Sequence, residues 1–521
     1  RTRRSVIPRL FQGILIRIFD DSGILRPNPD VNAIALIRQL YAFGKKLNID
    51  CEREKVYETI SDFFRTEEAL PYPRESWDED ELTGGCGDLL HCRNYRSSSG
   101  DGRPGDLRPE LPSLQLDIVQ HVADTISSTL GFFDPYEWRP KHGPGAVADL
   151  RGRDYKYHFP SWSARLETIF PYADFAFANF GCWVDSMADP LGDCSKQPSR
   201  LITVPKTQKG PRLIAAEPVA HQWCQQAIWS FLDHRCTNSW IGRFIRFRDQ
   251  TFNQEGASLA SVANDAWTVD LSAASDRVTT RFVESMFRGN YSLLRALHAS
   301  RTAYVQQDID HKHPTVTELR KFSTMGSACT FPIETLCFLA LAISACLIAD
   351  GKKPSKATIA SYFGKIRIFG DDCIVPSYAG QDFENLLCHF DFKVNQSKTH
   401  RNGRFRESCG LDVFDGHDVT PAYIIKVPEA RKPESIISIV ECSNNFFHKG
   451  WWNAAKAIES TVTVGNIPTV SIGSGRFGYS TFCDDVPHTK VRWNKHLQRV
   501  EYGGMMLRIV STRTRVHSNS A

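Results

Sequence analysis

The period of the apolar positions changes several times along this chain, and the changes mark its elements. A mixed apolar and charged stretch around Val31 to Leu47 reads as helix. Trp267-Thr268-Val269-Asp270 reads as a strand, with helix following from Thr279. Lys365-Ile366-Arg367-Ile368-Phe369 alternates as a half-buried strand does, Gly370-Asp371-Asp372 interrupts it, and Cys373-Ile374-Val375 resumes it. That pattern predicts a hairpin with carboxylates at its tip. The longest uncharged apolar run, Thr335 to Ala349, lies between Glu334 and Asp350. It is shorter than the roughly 20 residues a membrane span needs, so it reads as a buried helix and no membrane segment is expected. Beyond about Ile424 the chain reads as mostly helical, ending in a basic stretch with Lys490, Arg492, Lys495, Arg499, Arg508, Arg513 and Arg515. Gly84 to Pro112, rich in Gly, Ser, Arg and Pro, reads as a loop, and Lys141 to Gly145 as a tight turn.

Composition narrows the class. A length of 521 residues is too great for one simple core and implies two or more lobes. A net charge of +4 is too small for a general nucleic-acid glue, so any contact with nucleic acid must come from local basic clusters. The 15 cysteines include no Cys-x-x-Cys pair and no zinc-finger spacing, which points to reduced core thiols. The chain opens on Arg1 rather than Met, which reads as a missing or processed start.

Four segments could carry chemistry. Nucleotidyl transfer uses two divalent ions, one activating a 3′-hydroxyl and one holding the leaving pyrophosphate, and hard carboxylate oxygens suit Mg²⁺. Asp371 and Asp372 at the hairpin tip, with Asp270 at a strand end, could form such a cage, although Gly-Asp-Asp alone also makes ordinary turns. Asp276, a few small residues further on, could accept a hydrogen bond from a ribose 2′-hydroxyl, or could cap the helix beginning near Thr279. The small-residue loop Ser323 to Thr330 around Gly326 allows close approach of a nucleotide or template backbone. Lys206, Lys209 and Arg212 recur at three-residue spacing beside Pro205 and Pro211 and could hold a triphosphate, or could form a solvated basic loop. The order of these parts, with Lys398 after them, is what a polymerase palm requires.

The same residues resemble the replicase catalytic subunit of the small positive-strand RNA bacteriophages, the leviviruses. The likeness runs from about Leu201 to Lys426 and rests on VPKTQKGPRLIAAEP, TVDLSAASD, STMGSACTF, IFGDDCIVPS, FRESCG and DVTPAYI, with HGPGA at 142–146 as a further match. The resemblance implies an α+β right-hand polymerase. An N-terminal extension and fingers are expected at 1–200, fingers with the basic nucleotide-binding motif at 201–265, a palm of antiparallel sheet on helices at 266–425, and a helical thumb with the basic end at 426–521. It implies Mg²⁺, with Mn²⁺ as an alternative, at Asp270, Asp371 and Asp372. It places Lys206, Lys209, Arg212, Asp276, Ser323, Gly326 and Thr330 at the nucleotide, and Lys398 near a proton donor to pyrophosphate. RNA and ribonucleoside triphosphates are the implied substrates, host translation elongation factors the implied subunits, and the bacterial cytoplasm the implied location. The chain departs from the family at Ser327-Ala328, where Asn-Gly is usual, and at Phe369, where Tyr is common.

Two other readings compete. A reverse transcriptase shares the palm logic, but Asp276 argues against it, because a deoxynucleotide enzyme should present bulk at the 2′-position. A non-enzymatic viral RNA-binding protein needs no three acids in this order. Asp20-Asp21 and Asp484-Asp485 lack a strand on both sides and read as loop or capping residues, the acidic run Asp78 to Glu81 reads as a solvated loop, and His311 and His313 read as a surface hairpin.

Overall fold

The structure, a computed structural model, describes residues 6–49, 51–82, 111–143, 145–150, 156–157, 159–177, 179–186, 197–207, 210–427, 429, 433–462, 467–483, 491–503 and 505. Lys209, Pro144, Asp484, Asp485, Lys490, Arg508, Arg513, Arg515 and most of the Gly84–Pro112 loop lie outside these residues. The chain divides into two compact units, one of residues 1–50, 206–208 and 421–521, the other of 51–205 and 209–420.

The helices of the larger unit include α1 (Arg53–Ala69), α2 (Ser113–Leu130), α3 (Val219–Thr237), α4 (Thr251–Ala263), α5 (Ala274–Arg277), α6 (Thr280–Phe287), α7 (Tyr291–Ser300), α8 (Thr330–Ala349) and α9 (Gly380–His389). The apolar run read from sequence is α8. It is apolar on every side, and it is buried on nearly every side, as such a helix must be in water. α2 and α9 pack against it. Each of Leu336, Phe338, Leu339, Leu341 and Ile343 is fully buried, and each such side chain contributes about 1.5–3 kcal/mol relative to exposure.

Small sheets rest on this helical core. Strands β1 (Ser199–Thr207), β2 (Gly210–Ala216), β5 (Tyr304–Gln306) and β6 (Val316–Glu318) form a sheet in the order β2-β1-β5-β6. Strands β3 (Ala266–Val269), β7 (Arg367–Phe369) and β8 (Asp372–Pro376) form a second in the order β3-β8-β7, antiparallel throughout. The short β4 (Leu271–Ser272) pairs with β9 (Lys393–Val394), and β10 (Phe405–Ser408), β11 (Leu411–Phe414) and β12 (His417–Asp418) form a meander. Mixed helices and small sheets make this an α+β chain. Cysteines among the described residues are unpaired and mostly buried.

The smaller unit holds the helix Val31–Ala42, capped by Asp30, whose carboxylate accepts the Asn32 and Ala33 N–H groups. It also holds the helices Pro433–His448 and Trp452–Glu459. The expectation of a mostly helical C-terminal stretch is corrected beyond these helices. Thr469–Ser471 pairs with Tyr479–Thr481, and Val491–Asn494 forms an antiparallel hairpin with Arg499–Tyr502. The reason is local: Val491, Trp493 and Val500 alternate with polar neighbours at period two, and Gln498 takes the left-handed conformation at the turn. Asp20 sits in a turn, accepting the Ser22 and Ile24 N–H groups.

Candidate active site

Turn geometry and strand register bring the three nominated acids to one end of the β3-β8-β7 sheet. Phe369 pairs with Asp372, so β7 and β8 are joined by the two residues Gly370 and Asp371. Only Gly370 has a positive φ, +60°, as a type II′ hairpin turn requires at its first position. Across the sheet Val269 pairs with Cys373. One step further the same register sets Asp270 opposite Asp372. Burial, then the neighbouring charge of Asp371 and the more weakly felt Asp270, raise the Asp372 carboxyl to about 7, against hydrogen bonds from Cys409, through its N–H at 3.1 Å and its side chain. Asp270 is held from its other side. Its carboxylate accepts from Asn395 Nδ2 at 2.8 Å and Lys398 Nζ at 3.0 Å. Both donors arrive on the segment that pairs with β3 through Thr268 and His400.

The first turns of α8 carry the hairpin tip. Thr335 Oγ1 accepts the Gly370 N–H at 3.0 Å, and the Phe331 ring packs on Phe369 with centroids 4.8 Å apart. A Cβ at residue 370 would lie 3.1 Å from Phe331 and 3.2 Å from Glu334 Oε1, so glycine is needed for space as well as for φ. Glu334 is buried, and its Oε2 has no hydrogen-bond partner. Burial, then the charges of Asp371 and Asp276, push its carboxyl well above the usual range. It is a fourth acid of the cluster that sequence reading missed. Its signal was present, because a lone Glu inside an otherwise apolar helix is costly unless it has a task.

Asp276 lies on α5, and the capping alternative does not hold. Thr279 is itself the cap of α6, accepting the Phe282 N–H at 3.1 Å, while Asp276 Oδ1 accepts from Lys321 Nζ at 2.9 Å. The Ser323–Thr330 loop begins one residue beyond Lys321, after Phe322. Ser323 Oγ and Thr330 Oγ1 are 2.8 Å apart, and Thr330 also donates to the Thr324 carbonyl at 2.7 Å. Gly326, at φ +134°, makes its close approach to the protein itself. A Cβ there would lie 1.9 Å from the Ala215 carbonyl oxygen on β2, beside the hydrogen bond from Ala215 N–H to Met325 O. Ser327, in the position where Asn is usual, accepts the Cys329 N–H.

Arg212 is exposed on β2, Lys206 is exposed at the end of β1 and belongs to the smaller unit, and Lys209 lies outside the described residues. His313 is more than a surface hairpin residue: its Nδ1 is 2.9 Å from Asp310 Oδ2, and its ring stacks on Phe64 at 4.6 Å. The Cys409 N–H explains what the FRESCG segment contributes. Arg406, fully buried, fixes that segment by donating to the Ala266 carbonyl and Asn264 Oδ1.

No three metal-binding side chains among the described residues stand close enough to enclose an ion as they are placed. The donor set nevertheless fits a hard divalent cation. It is all carboxylate, it crowds negative charge, and one member is driven toward protonation by burial and then by its acidic neighbours.

The chain is thus an α+β protein with acids converging at the end of a small antiparallel sheet. It belongs to the family described as RNA replicase, beta-chain, which matches residues 167–445, more than half its length. It is similar to the RNA-directed RNA polymerase subunit beta of Escherichia virus Qbeta, with 35% identity over 227 residues, 43% of this chain and 35% of that protein. Against the RNA-directed RNA polymerase beta chain of Enterobacteria phage GA the identity is 33% over 249 residues, covering 46% and 42% of the two chains. Against that of Escherichia phage MS2 it is 34%, covering 43% and 37%. The chain therefore spans well under half the length of these relatives.

Proposed function

We propose that this chain is an RNA-directed RNA polymerase that copies a viral positive-strand RNA genome. RNA serves as template and ribonucleoside triphosphates as substrates. The observation that carries the reading is the sheet register that sets Asp270 opposite Asp372 with Asp371 in the joining turn. In this reading the larger unit's β3-β8-β7 sheet and α8 belong to a palm at 266–425. Residues 1–200 are an N-terminal extension and fingers, 201–265 fingers, and 426–521 the thumb with the basic end.

Asp270, Asp371 and Asp372 would hold two divalent cations, Mg²⁺ or Mn²⁺. When bound, these supply the Lewis acidity that activates a 3′-hydroxyl and stabilises the departing pyrophosphate. Lys398 keeps its proton: burial alone would lower its pKa, but the hydrogen bond and charge of Asp270 outweigh it and raise it. Its protonated amine, 3.0 Å from Asp270, would be placed to pass a proton to pyrophosphate. Arg212, with Lys206 and Lys209, takes the triphosphate charge, and Asp276 with the Ser323, Gly326 and Thr330 loop senses the ribose. Base pairing with the template supplies sequence choice. Host translation elongation factors would be its subunits in the bacterial cytoplasm.

The test is nucleotide incorporation on a short RNA template with Mg²⁺, comparing the chain with Asp371→Asn. Extension by the former alone supports both reaction and site. Equal extension by both overturns the site. If neither extends, the assay is repeated with a bacterial extract supplying host subunits, and inactivity there overturns the reading.

A further inference from the structure

Lys321 has no solvent exposure, and an ammonium group taken out of water is costly unless it is paired. Its Nζ lies 3.1 Å from Glu67 Oε2 and 2.9 Å from Asp276 Oδ1, with the face of the Phe63 ring 3.6 Å away. Burial alone would lower its pKa. The charges of Asp276 and Glu67, with their hydrogen bonds, outweigh burial and hold the proton on.

The two carboxylates do different work. Glu67, on α1, is almost completely buried, and its Oε1 accepts the backbone N–H groups of Arg320 and Lys321. It anchors the segment, and by itself it already balances the lysine's charge. Lys321 Nζ is 3.1 Å from Glu67 Oε2 and makes the shorter, 2.9 Å hydrogen bond to Asp276 Oδ1. Asp276 is the partly exposed member of the set, its side chain keeping 21% of its exposure.

Backbone pairing fixes the arrangement. Lys321 bridges to Thr279, and the Phe322 N–H donates to the Val278 carbonyl at 2.7 Å, so the segment bearing the lysine is laid along the residues that follow α5. Asp276 and Asp371 both act electrostatically on Glu334, which ties the triad to the metal-binding acids.

We propose that Lys321 is a positioning residue for sugar selection: by holding Asp276 Oδ1 it turns Asp276 Oδ2 toward the incoming nucleotide to accept the ribose 2′-hydroxyl. This rests on the reading of Asp276 as the ribose sensor. Glu67 anchors the lysine from behind, so a residue of the N-terminal helix α1, far from the matched segment, contributes to substrate choice.

The test is equilibrium binding of ATP and of 2′-deoxyATP to the full chain with Mg²⁺ and template RNA, with melting temperature recorded for each variant. Lys321→Met combined with Glu67→Gln removes the lysine without stranding a buried carboxylate. The preference for ATP should fall about tenfold, the scale of one charge-assisted hydrogen bond. Asp276→Ala should give the same loss, and adding the double substitution to it should change the preference no further. A merely structural Lys321 would instead weaken both nucleotides alike. Loss of preference in Asp276→Ala but not in the double variant overturns the role of Lys321 and leaves the sensor reading standing. No preference in the unsubstituted chain, or none lost in Asp276→Ala, overturns the sensor reading itself. If the double variant does not fold, Lys321→Arg, which keeps the charge and moves the donor, decides: lowered preference at unchanged melting temperature supports the role, and unchanged preference overturns it.

Discussion

Around Asp276 a buried lysine and a second carboxylate complete a nearly balanced set. Around Asp372, burial and then the negative charges of Asp371 and Asp270 raise its carboxyl to about 7. The first neighbourhood is finished by the protein alone and holds its acid in one orientation. The second is unfinished, and it gains stability by taking up either protons or cations. Orientation is what a sugar sensor needs, and unspent negative charge is what a cation site needs. Glu334, buried beside both, marks where the two neighbourhoods meet.

Breaking the unfinished side should have the largest effect. Asp371→Asn should lower incorporation by at least about 10³-fold, the scale of losing a charge-stabilising group at a reacting phosphate, as read by single-turnover extension. Gly370→Ala should destabilise the chain by about 1–3 kcal/mol, because alanine must hold φ +60° with its Cβ against Phe331 and Glu334; chemical denaturation measures it. Asp276→Ala should cut the preference for ribonucleotides about tenfold while slowing correct addition less. Equal loss with ribo- and deoxynucleotides would remove Asp276 from sugar selection.

The smallest effect sharpens the comparison through pH. The folded-state pKa of Asp372, about 7, lies above its ordinary 3.8, so ionising it weakens the fold. Its full contribution to stability is present below about pH 4 and is lost as pH rises through about 7. Asp372→Asn should therefore be more stable than the unsubstituted chain at pH 8 without divalent ions, by about 1–2 kcal/mol after discounting for screening. The two should melt alike near pH 4, and Mg²⁺ should narrow the gap at pH 8. A gap independent of pH would show that Asp372 does not titrate in this range.

By itself the sequence determined what local pattern can carry. Alternation on both sides of Gly370-Asp371-Asp372 specifies a hairpin, because side chains alternate faces at period two and glycine admits the turn. The all-apolar run specifies a buried helix for the same reason that any such helix avoids water. Strand alternation at Val491–Asn494 is equally legible, set among basic residues. Only the tertiary structure decided partners. Lys321 finding Asp276 and Glu67, Asn395 and Lys398 reaching Asp270, the Cys409 N–H meeting Asp372, and Glu334 lying under Gly370 all join residues separated by tens to hundreds of positions. Periodicity says which face a side chain takes, but not which other element will cover it. That depends on how whole helices and strands pack, and the balance of charge at each acid follows from that packing.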